Sequence, residues 1–384
     1  MRVLSIFGTR PEAIKMAPVL LCLEQDKRFE TKICNTSQHK EMVQQVLSFF
    51  KITPDYDLQI MTKAQNLTDL TSRILNFLTP VVRQCEPDTI IVQGDTTTTF
   101  AASLVAFYEK IPVAHVEAGL RTYGKLPFPE EANRRITSCL ASFHFASTRA
   151  NADNLKREGI PESTIWITGN TVLDSLNLTM ETMATKSPVY WENKFGVASK
   201  HVLSSSEPIL LITCHRRESI GTVLDQICEA IIQLAKAFPR VRMVYPVHPN
   251  PPVQKQVREK LRGIDNILLI DPLEYEPFIF LMKRADLILT DSGGIQEEAT
   301  ALGKTALVMR DVTERPEAIQ TGLVRLVGTH TENIVSECTR LLEQPPACVP
   351  SHKENPFGDG QASRQIVEIL AEALAGKRLL KRAS

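Results

Sequence analysis

Four polar residues stand where apolar runs end, and together they could move a proton. Asp95 follows the run at 89–93, inside Gly94-Asp95-Thr96-Thr97-Thr98-Thr99. Glu117 closes the run at 113–116, in His115-Val116-Glu117-Ala118-Gly119. Glu130 opens a helical stretch after Pro127-Phe128-Pro129, and His215 follows the run at 209–214. Asp95 could simply cap a helix, and His215 could be a helix-entry histidine. A glutamate at the end of a buried strand is harder to set aside, because burying a carboxylate is costly unless it is paired or used. Acids and a histidine in such places suit general acid–base chemistry.

A second group suits an anion. Residues 286–303 read as a buried strand over 287–290, a turn Asp291-Ser292-Gly293-Gly294, and a helix with Ile295, Ala299 and Leu302 on one face. Ser292 or Asp291 can cap that helix, and Gly303 can close it. Free backbone N–H groups, the positive end of a helix dipole and no Cβ make a place for phosphate. Glu298 leans back toward the loop and suits the hydroxyls of a ribose. Arg315, after the run at 306–309, is placed to meet a phosphate there. Arg10 and Lys15 stand at the start of the helix after the first run, where two cations oppose the dipole and so call for a reason. Glu130 with Arg134, and Glu131 with Arg135, fall at i,i+4, and the second pair reads as plain helix salt bridging.

The elements that must position these residues alternate throughout. Strand-like runs at 3–7, 31–35, 89–93, 113–116, 143–147 and 165–168, then at 209–214, 242–247, 267–270, 287–290, 306–309 and 324–327, are separated by helical patterns. That predicts α/β architecture with two Rossmann-like domains of parallel sheet. Ligands in such sheets sit beyond the carboxyl ends of the strands, where all the residues above lie. The boundary is expected between 169 and 207, with 187–188 and 204–208 as loop or linker. This gives a domain 1–170 with the acids and bases, a domain 171–361 with the nucleotide side, and a helix over 362–384 packing back on the first.

Composition narrows the class. The chain has 384 residues, and 44 acidic residues balance 44 basic ones, so no global field favours nucleic acid or a membrane. No apolar run is long enough to span a bilayer, and no signal peptide is apparent. The eight cysteines have no metal-ligand spacing, and Cys22, Cys139 and Cys228 read as reduced core thiols. A cytoplasmic protein is expected, with neither disulfides nor zinc.

The stretches FGTRPEAIKMAP, QHKEM, VQGDTTTTFAAS, HVEAGLRT, PFPEEANRR, TGNTVLD, CHRRE, HPNP, TDSGGIQEEA, RDVTERPEA and NPFGDGQAS run from Phe7 to about Ser363. With them the chain resembles the bacterial non-hydrolysing UDP-N-acetylglucosamine 2-epimerases. The resemblance implies the GT-B fold, with two Rossmann-like domains facing across a central cleft. It implies interconversion of UDP-GlcNAc and UDP-ManNAc, without NAD or metal, by anti elimination of UDP to 2-acetamidoglucal and re-addition. Such a product supplies ManNAc units for cell-surface polysaccharide. Carried over by motif, Asp95, Glu117 and Glu130 are acid/base carboxylates and His215 assists the leaving diphosphate. Arg10 and Lys15 face the diphosphate-sugar region, and Arg134 supports Glu130. Ser292, Gly293 and Gly294 hold phosphate, Glu298 the ribose, and Arg315 phosphate or sugar, while Phe278 lies by the uracil. Which carboxylate serves which sugar face stays open. The family also implies a homodimer and an allosteric UDP-GlcNAc site, to which Gln38, His39, Glu41 and His248 look like contributors. Ser37, where glycine is usual, the variant loop 123–126, Ser219, Thr222-Val223 and Lys304-Thr305 depart from the family pattern. A GT-B glycosyltransferase would share the UDP cradle but need an acceptor and no set of three acids. A hydrolysing epimerase would release ManNAc and UDP, and a nucleotide-sugar sensor would need no acid/base set.

Overall fold

The structure is a computed structural model that describes residues 1–62, 65–198, 202, 206–214, 221–344 and 355–383. The chain divides into two compact units: Met1–Leu178 with Phe357–Ser384, and Thr179–Pro356.

The first unit carries β1 (Arg2–Phe7), β2 (Glu30–Asn35), β3 (Tyr56–Asp57), β4 (Thr89–Gln93), β5 (Val113–Ala118), β6 (Phe143–Ala146) and β7 (Ile165–Ile167). They form one parallel sheet in the order β3-β2-β1-β4-β5-β6-β7. Its core is built by sequential βα units: Leu4 and Ile6 of β1, Ile90 and Val92 of β4, Ile74 and Leu78 of the Leu67–Cys85 helix, and Ala101 and Val105 of the Thr97–Tyr108 helix are buried together. Fully burying each large aliphatic side chain is worth about 1.5–3 kcal/mol. The C-terminal helix Ala362–Ala383 belongs to this unit and packs against the Arg10–Gln25 helix. Its Ser363 N–H donates to Asp174 Oδ1 at 2.8 Å.

The second unit carries β8 (Ile209–Thr213), β9 (Arg242–Pro246), β10 (Ile267–Ile270), β11 (Leu287–Thr290), β12 (Ala306–Val308) and β13 (Val324–Leu326). These too are parallel, in the order β10-β9-β8-β11-β12-β13. In both sheets the order reverses beside the first strand, between β1 and β4 and between β8 and β11. Those switch points are where open α/β sheets leave room for a ligand.

Twelve strands are expected from the apolar runs, and the described residues form thirteen. The extra one, β3, is two residues long, too short for any periodicity. Two local expectations are corrected. Ser187-Pro188 is a helix start rather than linker: the Ser187 side chain accepts the Tyr190 N–H at 3.3 Å and Pro188 opens the Pro188–Phe195 helix. Cys139 is exposed and Cys22 half-buried, whereas Cys34, Cys85, Cys214, Cys228 and Cys338 are buried. No helix among the described residues is long and apolar enough to cross a membrane.

Candidate active site

In the first unit the switch point brings together residues far apart in sequence. Glu117, the last residue but one of β5, has φ +64°, in the left-handed region, where the register with β6 slips between Val116 and Ala118. Such a bulge re-aims a side chain, and a non-glycine residue there costs on the order of 1–3 kcal/mol. The re-aimed carboxylate is only 7% exposed. Lys15 Nζ lies 2.6 Å from its Oε1, both side chains being buried. Asn170 Nδ2 donates to the same oxygen at 3.2 Å, and Gln93 Nε2 donates to Oε2. Gln93 closes β4, and Asn170 follows β7 within TGNTVLD.

Asp95 lies one turn beyond β4. Arg134 Nη2 pairs with Asp95 Oδ2 at 2.7 Å, the arginine buried and the aspartate side chain 25% exposed. Asn133 Nδ2 donates to the Asp95 carbonyl at 3.0 Å. Asp95 is thus clamped but reachable from solvent. Arg134 also pairs with Glu131, three residues back, at 3.2 Å. The expected Glu131–Arg135 pair does not form. Glu131 accepts the Thr122 and Tyr123 backbone N–H groups at 3.0 and 3.1 Å, and Arg135 reaches Glu158 at 3.6 Å. Helical spacing offers neighbours, and tertiary partners compete for them. Glu130 opens the Glu130–Leu140 helix, half-buried, where a carboxylate meets the positive dipole end.

His115, two residues before Glu117, is fully buried. Its Nε2 is 2.7 Å from the Gly94 carbonyl, which makes it the protonated nitrogen, and burial pushes its pKa down to about 3. A neutral imidazole therefore pins the turn that presents Asp95. Arg10 is the first residue of the Arg10–Gln25 helix, with Thr9 as its N-cap.

Gln38, His39 and Glu41 lie at the start of the Lys40–Phe50 helix in this unit. Gln38 Oε1 accepts from Thr98 Oγ1 at 3.0 Å, and His39 and Glu41 are exposed. Ser37 adopts φ +58°, held by Asn35 Nδ2 at 2.8 Å and Asp57 Oδ1 at 2.6 Å. That left-handed angle is the physical reason a glycine suits this position.

In the second unit, β11 runs into the Gly293–Ala301 helix with Ser292 as N-cap. The Ser292 side chain does not cap this end, and the first N–H groups of a helix have no partner within the helix. Arg315 lies over it: a Cβ on Gly293 would come within 2.7 Å of Arg315 Nη1. The guanidinium is set by Glu297, 2.6 Å from Nε, and Glu314, 2.5 Å from Nη1. Glu298 is buried beside Tyr275, whose hydroxyl is pushed well above its usual pKa by burial first and by the Glu298 carboxylate second. Phe278, one turn on in the Tyr275–Arg284 helix, is half-buried. His248 Nδ1 accepts the Asn250 N–H at 3.2 Å. His215 lies outside the described residues.

Sequence reasoning missed Gln93, Asn170, Asn133, His115 and Glu12. For all but His115, which sits within β5, the shared signal is a polar residue at or just past the carboxyl end of a strand, or one turn into the next helix.

The family model described as UDP-N-acetylglucosamine 2-epimerase matches residues 22–371. The UDP-N-acetylglucosamine 2-epimerase of Yersinia pestis is 52% identical over 374 residues, 96% of this chain and 98% of that protein. That of Escherichia coli K12 is 51% identical over 373 residues, with the same shares. The crystal structure of the UDP-GlcNAc 2-epimerase from Neisseria meningitidis bound to UDP-GlcNAc matches at a TM-score of 0.92 and 48% identity, covering 97% of this chain and 100% of the other. The Methanocaldococcus jannaschii enzyme in complex with UDP-GlcNAc and UDP matches at 0.86 and 33% identity, again over 97% and 100%. The fold, two Rossmann-like α/β units, is of the GT-B type these structures share.

Proposed function

We infer the reaction from one premise: the chain belongs to the UDP-N-acetylglucosamine 2-epimerase family. It interconverts UDP-GlcNAc and UDP-ManNAc. The observation that carries this reading is the match to epimerases at about half identity over nearly the whole chain. The buried, charge-paired Glu117 beside a clamped Asp95 is the equipment such chemistry needs.

A base takes the proton from carbon-2 of the sugar. The C–H electron pair becomes the C1=C2 double bond as the C1–O bond to UDP breaks, leaving 2-acetamidoglucal and UDP. Re-addition of UDP with protonation on the opposite face gives the epimer. The carbon acid is weak, so the base must be positioned. Asp95, Glu117 and Glu130 are proposed as the proton-transfer carboxylates, with His215 assisting departure. Asp95, the more exposed of the pair at the switch point, is oriented by Arg134. Glu117 is fixed by Lys15, Gln93 and Asn170.

The departing UDP carries developing negative charge. The N–H groups at Ser292, Gly293 and Gly294, with Arg315, are proposed to hold it, since preorganised donors cost no rearrangement at the moment of reaction. Glu298 takes the ribose and Phe278 lies by the uracil. Arg10 and Lys15 are proposed at the diphosphate-sugar region. The family also supports a cytoplasmic homodimer in which Gln38, His39, Glu41 and His248 contribute to a second UDP-GlcNAc site.

Proton NMR of the purified enzyme with UDP-GlcNAc in deuterium oxide tests the reading. Growth of UDP-ManNAc with deuterium at carbon-2 of both sugars is expected. Free ManNAc and UDP would make the enzyme a hydrolase, and an unchanged spectrum would refute the reaction.

A further inference from the structure

Glu12 is the most enclosed carboxylate among the described residues of the first unit, only 1% exposed, and no role in the reaction falls to it above. Its Oε2 accepts the Gly8 and Thr9 backbone N–H groups at 2.9 and 2.8 Å. Its Oε1 faces the hydroxyls of Thr96 at 2.6 Å and Thr99 at 2.9 Å. The first pair belongs to the turn after β1, which delivers Arg10 and Lys15. The second belongs to the turn after β4, which delivers Asp95. Among the described residues no cation is bonded to it, and burial pushes its pKa up.

An ordinary capping box would use Glu12 only at its own helix end, satisfying two N–H groups and stabilising by about 1 kcal/mol. Here the second oxygen leaves that helix and reaches 84 residues along the chain. The hydrogen count is also informative. Thr99 has one hydroxyl hydrogen, and its Oγ1 lies 2.7 Å from the Gln93 carbonyl as well as 2.9 Å from Glu12. If that hydrogen goes to Gln93, only Thr96 is left to donate to Oε1. A glutamine side chain would fit as well: its carbonyl would take the two backbone N–H groups, and its amide would donate to both hydroxyls.

We propose that Glu12 is a positioning residue for the epimerisation: it ties the turn after β1 to the turn after β4, and so fixes Arg10 and Lys15 relative to Asp95. The proposal rests on the function inferred above. Misplacing a reacting group by about 1 Å can cost 10²-fold in rate, while leaving the UDP-binding loop of the other unit untouched.

The test compares full-length wild type with Glu12→Met, Glu12→Gln, Thr96→Val and the Glu12→Met/Thr96→Val double variant. Turnover is followed by NMR and UDP affinity by calorimetry. Glu12→Met, of similar size but unable to accept, is expected to lose kcat by roughly 30- to 100-fold while the UDP Kd stays within about threefold. Glu12→Gln should recover kcat to within about fivefold of wild type. Thr96→Val should lose roughly tenfold, and the double variant should be no slower than Glu12→Met alone, because both remove one tie. Wild-type kcat in Glu12→Met would overturn the proposal, as would a Gln variant as slow as Met, or losses that multiply in the double variant. Should Glu12→Met not fold, Thr96→Val turning over at the wild-type rate would overturn it. An inactive wild type would instead refute the epimerase reading, so the two failures are distinct.

Discussion

At the scale of single residues, the site rests on pairings that no local rule supplies. Lys15 and Glu117 are 102 residues apart, and each alone reads as a surface cation or a strand-end acid. The sheet order makes them neighbours, because β1 and β5 both flank β4. Lys15 donates to one carboxylate oxygen, and Gln93 supplies a second donor at the other. Glu117→Gln keeps the shape and the acceptor for Lys15 but removes the charge and the basicity. Turnover is expected to fall by roughly 10²- to 10⁴-fold with the UDP Kd little changed, since general acid–base catalysis is worth about that much. Steady-state kinetics beside calorimetry with UDP checks this, and wild-type turnover would remove Glu117 from the mechanism. Lys15→Met is a different experiment. It strands a carboxylate in a buried place, and losing one partner of a buried pair costs about 3–5 kcal/mol. Its expected signature is therefore a lower unfolding free energy by urea titration.

At the scale of elements, two glycines close to positions of function show what the turns require. Gly119, just after β5, has φ +90°, and a Cβ there would lie 2.2 Å from the Asn151 carbonyl oxygen. Backbone cannot step aside, so Gly119→Ala is expected to destabilise the first unit by several kcal/mol, on the order of an overpacked and strained site. Gly293 has an ordinary φ, and the atoms in the way are the ends of Arg315 and Glu314. Those side chains can move. Gly293→Ala should therefore leave stability within about 1 kcal/mol and instead weaken UDP binding, by roughly tenfold, as Arg315 is pushed off the helix end. Calorimetry and urea unfolding of the two variants would give opposite patterns; a UDP Kd unchanged in Gly293→Ala would remove Arg315 and this loop from the phosphate site. The DSGG turn was legible in the sequence because strand, glycines and helix are contiguous. The pairing of Arg134 with Asp95 was not, because the two stand on different elements far apart in sequence. The bulge at Glu117 was equally hidden, since a left-handed non-glycine residue in a strand has no compositional mark. The strand two residues long at Tyr56–Asp57 carries no period to read.

At the scale of the whole molecule, the two units can be followed separately, because the chain has two tryptophans and each unit holds one: Trp166 on β7 and Trp191 in the Pro188–Phe195 helix. The first unit also holds the acid-sensitive group. His115 is buried, with Gly94 as its hydrogen-bond partner and His144, Arg121 and Arg134 as the charged groups that act on it, and its pKa is pushed down to about 3. An unfolded histidine titrates near 6.5. Between those values the unfolded chain binds a proton that the folded chain refuses, so stability falls as pH falls, by about 1.4 kcal/mol per pH unit for one group. His144, also pushed down by burial, adds to this, while Glu12 and Asp174, pushed up by burial, act in the opposite direction. His115→Gln keeps an N–H for the Gly94 carbonyl and cannot charge. In a Trp191→Phe background, where Trp166 alone reports, the loss of unfolding free energy from pH 6.5 to 5 should be about 2 kcal/mol smaller with His115→Gln than without it. In a Trp166→Phe background, where Trp191 reports on the second unit, the same substitution should change nothing. Equal acid losses with and without His115→Gln at Trp166 would mean that His115 is not held neutral, and that the turn presenting Asp95 is pinned by something other than an uncharged imidazole.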